Sequence, residues 1–242
     1  MLSTDCALCE SANAQDFLFR IDTCFFKQNP AIGPRGCGII APFRHVGSVF
    51  ELSELEWQQI YPLLLEARRF FDDQVSPEGY NVGWNVGPVA GQELPHVRMF
   101  LIPRWSGEPL AGRGMRYRLK QPNNRRRSGI LDDSVIETLA SNETCHFVPA
   151  GELTLVGSGV ILTHQDERET VFDLTPDEWR DTYRLLQDVK VLLDDRFRPD
   201  GYTLGWNCGR IAGQEVFHVH MHVIPRYEDE PLAGKGIHHL LW

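Results

Sequence analysis

Three histidines at every second position, His218, His220 and His222 in HVHMHV, are the residues of this chain best suited to chemistry. In a strand, alternate side chains share a face, so the three imidazoles project together while Val219, Met221 and Val223 turn to an apolar side. Neighbouring rings then stand roughly 7 Å apart, near enough for two of them to reach one phosphate or one metal ion. A neutral imidazole is a nucleophile, a hydrogen-bonding group and a metal ligand, so the row admits more than one chemistry. A row of solvated histidines with no role is the plain alternative. Just upstream stand Asn207 and the turn Ala212-Gly213-Gln214-Glu215. Glycine there lets backbone approach a ligand, and the amides of Asn207 and Gln214 can hydrogen-bond phosphoryl oxygens without adding negative charge.

The same frame occurs 122 residues earlier. Residues 79–114 align with residues 201–236 at 22 of 36 positions, so the chain is a tandem duplication, and the long period means two domains rather than a solenoid. In the earlier copy, HVRMFL, His96 remains while Arg98 and Phe100 replace the second and third histidines. Arg98 either holds an anion in that pocket or pairs with a nearby carboxylate.

The elements that must position these residues are legible in both copies. Ser53 with Glu56, and Thr175 with Glu178, are capping boxes that open helices. Trp179, Leu186, Val189 and Leu193 recur at helical spacing, which lays one stripe of the second helix on a sheet; Pro62 predicts a kink in the first. Short apolar runs at 37–43 and 158–164 read as strands, as does each histidine segment. The fold class is therefore α+β, each repeat an antiparallel sheet with a packed helix. The repeats are expected at 1–118 and 143–242, joined by a polar connection over 119–142 with a short helix at DDSVIETLA.

Composition narrows the function. A formal net charge of −9, with no basic stripe beyond Arg125, Arg126 and Arg127, argues against duplex nucleic acid as a partner. No apolar run of about 18 residues and no leader-like N-terminus are present, so a soluble cytoplasmic protein without a membrane partner is expected. The six cysteines are scattered except for Cys6 and Cys9, whose Cys-x-x-Cys spacing suits a metal clip better than a disulfide framework.

HVHMHVI, with AGQ before it and IPRYEDEPLAGKG after it, resembles the histidine triad superfamily of nucleotide hydrolases and transferases, over most of both halves. The resemblance implies that His220 attacks the α-phosphate of a nucleotide and forms a nucleotidyl-imidazole intermediate, that His222 binds the phosphate oxygens, and that His218 supports the pocket. Asn207, Gly213 and Gln214 would bind the substrate. A histidine at the third position favours the hydrolase branch, whose substrates are dinucleoside polyphosphates and nucleoside phosphoramidates; the local run is closest to bacterial dinucleoside polyphosphate hydrolase-like members. Transfer to a phosphorylated acceptor, non-catalytic nucleotide binding, and a catalytic metal on the three histidines are the rival readings.

The resemblance also implies a structural zinc site of Cys6, Cys9, His45 and His96 in the first half, with no metal needed for the chemistry. No such set precedes the second triad, where Glu167 or a neighbour falls at the place of His45. Because members of this superfamily pair through their sheets, the duplication implies an intramolecular pseudo-dimer, a monomer able to form higher oligomers. The first half has the superfamily's nucleoside-side loop in QNPAIGPRG (28–36), whereas FVPAGELTLVG (147–157) departs from it. Either that segment is remodelled for another substrate, or the pocket of the second half borrows from the other half or from His238 and Trp242 at the C-terminus.

Overall fold

The computed structural model describes residues 6–33, 35–125, 140–150, 155–165 and 167–241. Its first half contains helix α1 (Ala7–Asn13), strands β1 (Phe19–Ile21), β2 (Cys24–Asn29) and β3 (Cys37–Pro42), the long helix α2 (Glu54–Val75), then β4 (Gly79–Val86) and β5 (Met99–Arg104). A short helix, α3 (Arg116–Leu119), follows. The second half repeats the order with β6 (Cys145–Pro149), β7 (Gly159–Thr163), α4 (Pro176–Phe197), β8 (Gly201–Cys208), β9 (His220–Arg226) and a short α5 (Ile237–Leu240). The expected helix at 132–140 lies almost wholly outside the described residues.

All nine strands join one sheet in the order β1-β2-β3-β5-β4-β8-β9-β7-β6, and every pairing is antiparallel. The halves meet at β4 and β8, with Gly83 opposite Gly205. A Cβ on Gly205 would lie 2.0 Å from the Val82 carbonyl oxygen, so the junction accepts only glycine there.

Both capping boxes form. Ser53 and Thr175 accept the N–H of Glu56 and Glu178 at 3.2 Å, and the two carboxylates accept the cap N–H groups at 2.7 Å. These glutamates are buried and also hold Arg44 and Arg168, which ties each helix start to the loop that precedes it. Helix α2 runs continuously through Pro62.

The main core lies between one face of the sheet and helices α2 and α4. It takes Val82, Trp84, Met99 and Leu101 from the first half and Leu204, Trp206, Met221 and Val223 from the second. The opposite face carries a smaller cluster with Phe25, Ile39, Phe100, Ile102, Met115 and Ile237. The strand parity read for β9 therefore holds: Val219, Met221 and Val223 enter the helix-side core, and the histidines belong to the other face. The start of the expected connection is packed rather than loose. Leu119 is buried with Leu155, Ile224 and Leu240, and Asn124 accepts the Leu232 N–H at 2.9 Å. Among the described residues, no helix is long and apolar enough to cross a membrane.

Candidate active site

Strand β9 brings His220 and His222 together with ring centroids 4.8 Å apart and ring planes near perpendicular. His218, just before the strand, accepts or donates a bond with the Thr163 hydroxyl at 3.1 Å. Its carbonyl oxygen lies 2.8 Å from His220 Nδ1. A carbonyl can only accept, so Nδ1 carries the proton and Nε2 keeps its lone pair. Burial, then the nearby Arg116 and His218, pull the His220 pKa below the usual histidine value against the opposing bond to the His218 carbonyl. The ring is therefore neutral at pH 7.

His222 is 3% exposed, and burial drives its pKa well down, aided by His220, Arg116 and Lys120. Its Nε2 lies 3.0 Å from the Asn207 amide nitrogen, while its Nδ1 is buried without a hydrogen-bond partner. An unpaired buried donor of this kind costs about 1–3 kcal/mol and marks a place where a ligand can satisfy it.

His220, His222 and Asn207 line a cavity of about 100 Å³. The opposite wall comes from the first half: Arg113, Arg116 and Lys120 stand in the segment that follows β5. That segment crosses to the second half, where Gly112 N–H donates to the Ile211 carbonyl at 2.7 Å. Gly213 is the point of closest approach. It has φ +84°, and a Cβ there would lie 2.0 Å from the Gly114 nitrogen. The glycine read as a place for a ligand is required first by the crossing chain.

Gln214 does not reach into the cavity. Its oxygen accepts Gly209 N–H at 2.7 Å, and its nitrogen donates to the carbonyls of Glu169 at 2.6 Å and Val216 at 3.1 Å. With both amide hydrogens bonded, the side chain braces the turn. Gln92 braces the first half's turn with the matching bonds.

The C-terminus goes elsewhere. His238 lies beside the first half's altered strand, 3.6 Å from Glu93 and with its ring 5.8 Å from that of Phe100. The tails are exchanged: the segment after β5 closes the second half's cavity, and the segment after β9 covers the first half's counterpart. Trp242 is outside the described residues. Arg98 is buried and donates to Glu93 at 2.9 Å while its guanidinium lies over Phe100, which is the carboxylate pairing of the two roles considered. The cationic wall was missed because Arg113, Arg116 and Lys120 stand about a hundred residues from the triad. The signal was the continuation of the repeat through LAGRGM and LAGKGI, which makes the two tails equivalent.

On the far side of the first half, the sulfurs of Cys6 and Cys9 and ring nitrogens of His45 and His96 all lie within 4.8 Å of one another. Cys6 Sγ is 3.4 Å and Cys9 Sγ 3.6 Å from His96 Nδ1, and Cys9 Sγ is 3.3 Å from His45 Nδ1. Four ligands bonded to one tetrahedral zinc stand about 3.3–3.8 Å apart, so the set is near closure around such an ion. His96 Nε2 donates to the Pro42 carbonyl at 3.0 Å, which turns the Nδ1 lone pair toward the sulfurs. Burial, above all, pushes the His96 pKa down to about 4. These four residues can bind a metal. Among the described residues no second cluster of this kind forms, and Glu167 is exposed.

The HIT domain family matches residues 159–229. The chain carries a HIT domain. Over 71 residues the chain is 32% identical to the AP-4-A phosphorylase of Mycobacterium tuberculosis, covering 29% of this chain and 36% of that protein. It is 41% identical over 56 residues to the bis(5'-adenosyl)-triphosphatase of Dictyostelium discoideum, covering 23% and 38% of the two chains. The match thus spans little more than a third of these relatives. The solved structure of an ADP-glucose phosphorylase from Arabidopsis thaliana with bound ADP-glucose superposes with a TM-score of 0.61 at 12% identity, over 88% of this chain and 78% of that one. The likeness to that enzyme is one of fold, and it extends beyond the HIT domain to both halves.

Proposed function

We propose that the second half is a nucleotide hydrolase that works through a covalent nucleotidyl-histidine intermediate on His220. The observation that carries this reading is the bond from His220 Nδ1 to the His218 carbonyl, which leaves Nε2 unprotonated beside a cavity with a cationic wall. In the first step Nε2 bonds to the α-phosphorus as the bond from phosphorus to the leaving group breaks; a phosphate oxygen departs as the anion, whereas an amine nitrogen departs neutral after taking a proton from solvent. Nδ1–H stays on the ring, and the His218 carbonyl supports the positive charge that the ring gains. His222 donates from Nδ1 to a phosphoryl oxygen, Asn207 orients His222, and Arg113, Arg116 and Lys120 face the anionic leaving group. Water then attacks phosphorus, the P–N bond breaks, and the nucleoside monophosphate departs.

The substrate is a dinucleoside polyphosphate or nucleoside phosphoramidate. A second reading, favoured by the similarity to an AP-4-A phosphorylase, puts inorganic phosphate in the place of water. With diadenosine tetraphosphate as substrate, the two differ in product: water releases AMP from the intermediate, and phosphate releases ADP. Analysis of products with and without phosphate tests the choice, and unchanged turnover in His220→Ala would refute both.

The halves, 1–118 and 143–242, act as a covalent pseudo-dimer in which only the second performs chemistry. Cys6, Cys9, His45 and His96 hold one structural zinc in the first half. Bound there, zinc would supply a cross-link between α1 and the sheet; with four protein ligands it leaves no open position for substrate.

A further inference from the structure

Four buried side chains run in a line from the first half to the histidine strand of the second. Arg104 Nη1 lies 2.5 Å from Asn81 Oδ1, Asn81 Nδ2 lies 2.7 Å from Asn207 Oδ1, and Asn207 Nδ2 lies 3.0 Å from His222 Nε2. Arg104 and Asn81 are fully buried, and the other two nearly so. A guanidinium has no acceptor, so the atom of Asn81 that faces it must be the amide oxygen. Asn81 then has only its NH2 to offer onward, and the Ala212 carbonyl takes the second hydrogen at 2.9 Å. Asn207 must in turn present its oxygen to Asn81, an orientation reinforced by the Met115 N–H at 3.3 Å. What Asn207 presents to His222 is therefore an N–H, which requires a lone pair on Nε2. A neutral ring with a lone pair on Nε2 carries its proton on Nδ1.

We propose that Arg104 and Asn81, which touch no substrate, are positioning residues that fix the tautomer of His222 from across the junction between the halves. The direction of donation is set once, by the fixed charge of Arg104, and passed through two amides. Its outcome is a buried, unpartnered Nδ1–H on His222, a residue that lines the same cavity as His220.

The mirror line shows what happens without a histidine to orient. Arg226 donates to Thr203 at 3.0 Å, where the first half has Asn81, and the place of His222 is held by Phe100. Thr203 offers no bond onward to Asn85, whose oxygen keeps only the backbone partner that matches the Met115 N–H of the other line, the Ile237 N–H at 2.9 Å. The arginine is present in both halves, whereas the relaying asparagine stands only in the line that ends on a histidine. The first half thus orients a group at the second half's site as well as walling it.

This inference rests on the reading of His222 as the group that donates to phosphate, and its test separates the two. The full-length protein is labelled with 15N at histidine, and the ring nitrogens of His222 are assigned by comparison with His222→Gln. The expected wild-type spectrum has a protonated Nδ1 and an unprotonated Nε2. Asn81→Thr copies the residue of the mirror position, so the site accommodates its shape; it should move the His222 population toward the Nε2–H form. In the same variant kcat should fall about tenfold, the loss of roughly one hydrogen bond's worth of transition-state support, with KM within twofold. Asn207→Asp, which offers His222 an oxygen in place of an N–H, should place the proton on Nε2 outright. An Nε2–H tautomer in the wild type, or an unaltered tautomer in Asn81→Thr, would overturn the relay whatever the activity. A shifted tautomer with unchanged kcat would overturn its part in turnover. The hydrolase reading itself stands or falls separately, on His220→Ala.

Discussion

Trp57 and Trp179 each donate their indole N–H to the other's backbone carbonyl at 2.7 Å, with ring centroids 4.4 Å apart. The exchange is reciprocal because the two residues occupy the same place in α2 and α4. Tyr61 likewise donates to the Leu174 carbonyl, and Tyr183 to that of Leu52. The two helices are thereby joined to each other, over a sheet that is itself continuous.

Replacing either tryptophan should therefore weaken the whole molecule. Trp57→Phe keeps most of the stacking and removes the second bond to the Trp179 carbonyl, which retains its own helical partner, at a cost of about 0.5–1.5 kcal/mol. Urea unfolding should show one transition for both halves, shifted to lower midpoint. Two separated transitions would show that the halves fold independently.

Removal of metal should act on stability and spare chemistry. Cys6→Ser, or treatment with a strong chelator, should lower the melting temperature by several degrees, while turnover measured well below that temperature changes less than twofold. Elemental analysis should find one zinc per wild-type chain, none in Cys6→Ser and one still in His220→Ala. Zinc lost from His220→Ala would place the metal on the triad instead.

The rate should depend on pH through His220. Burial and Arg116 hold its pKa below the ordinary histidine value, so the ring stays neutral and nucleophilic further into acid. Activity limited by this group should be full above that lowered pKa and fall as pH drops through it. Arg116→Ala removes a positive charge, raises the His220 pKa and should move the acid limb of kcat/KM upward. A limb that stays in place would mean that another group controls it.

Gly213→Ala should be costly for two separate reasons. The φ of +84° is poor for alanine, and its Cβ would meet the crossing chain at Gly114. The expected result is a loss of about 2 kcal/mol or more in stability, accompanied by a raised KM as the wall bearing Arg113 and Arg116 is displaced. Wild-type kinetics in this variant would show that the wall has no part in binding.

Most of the framework was legible in the sequence because it rests on local rules. Capping boxes at Ser53 and Thr175, strand parity around His220, and the repeat itself each follow from residues within a few positions of one another. The four residues that could hold a metal, in contrast, are spread from Cys6 to His96, and their grouping was legible through resemblance to a family rather than through spacing. What escaped was the consequence of pairing β4 with β8. That junction places Arg104 and Asn81 behind Asn207, and sends the tail bearing Arg116 and Lys120 over His220. No local pattern reports an exchange of tails, so the sequence left open whether the other half or His238 would line the pocket. The bracing bonds of Gln214 were illegible for a related reason: one of its amide hydrogens goes to the Glu169 carbonyl, 45 residues away.

The central claim is a bond between phosphorus and one ring nitrogen, and mass spectrometry can look for it directly. The protein is mixed with diadenosine tetraphosphate, quenched in alkali within a turnover and digested. The account predicts an adenylate adduct on the peptide that carries residues 218–226, localised to His220 and missing from His220→Ala. No adduct in the wild type, together with full turnover in His220→Ala, would contradict it.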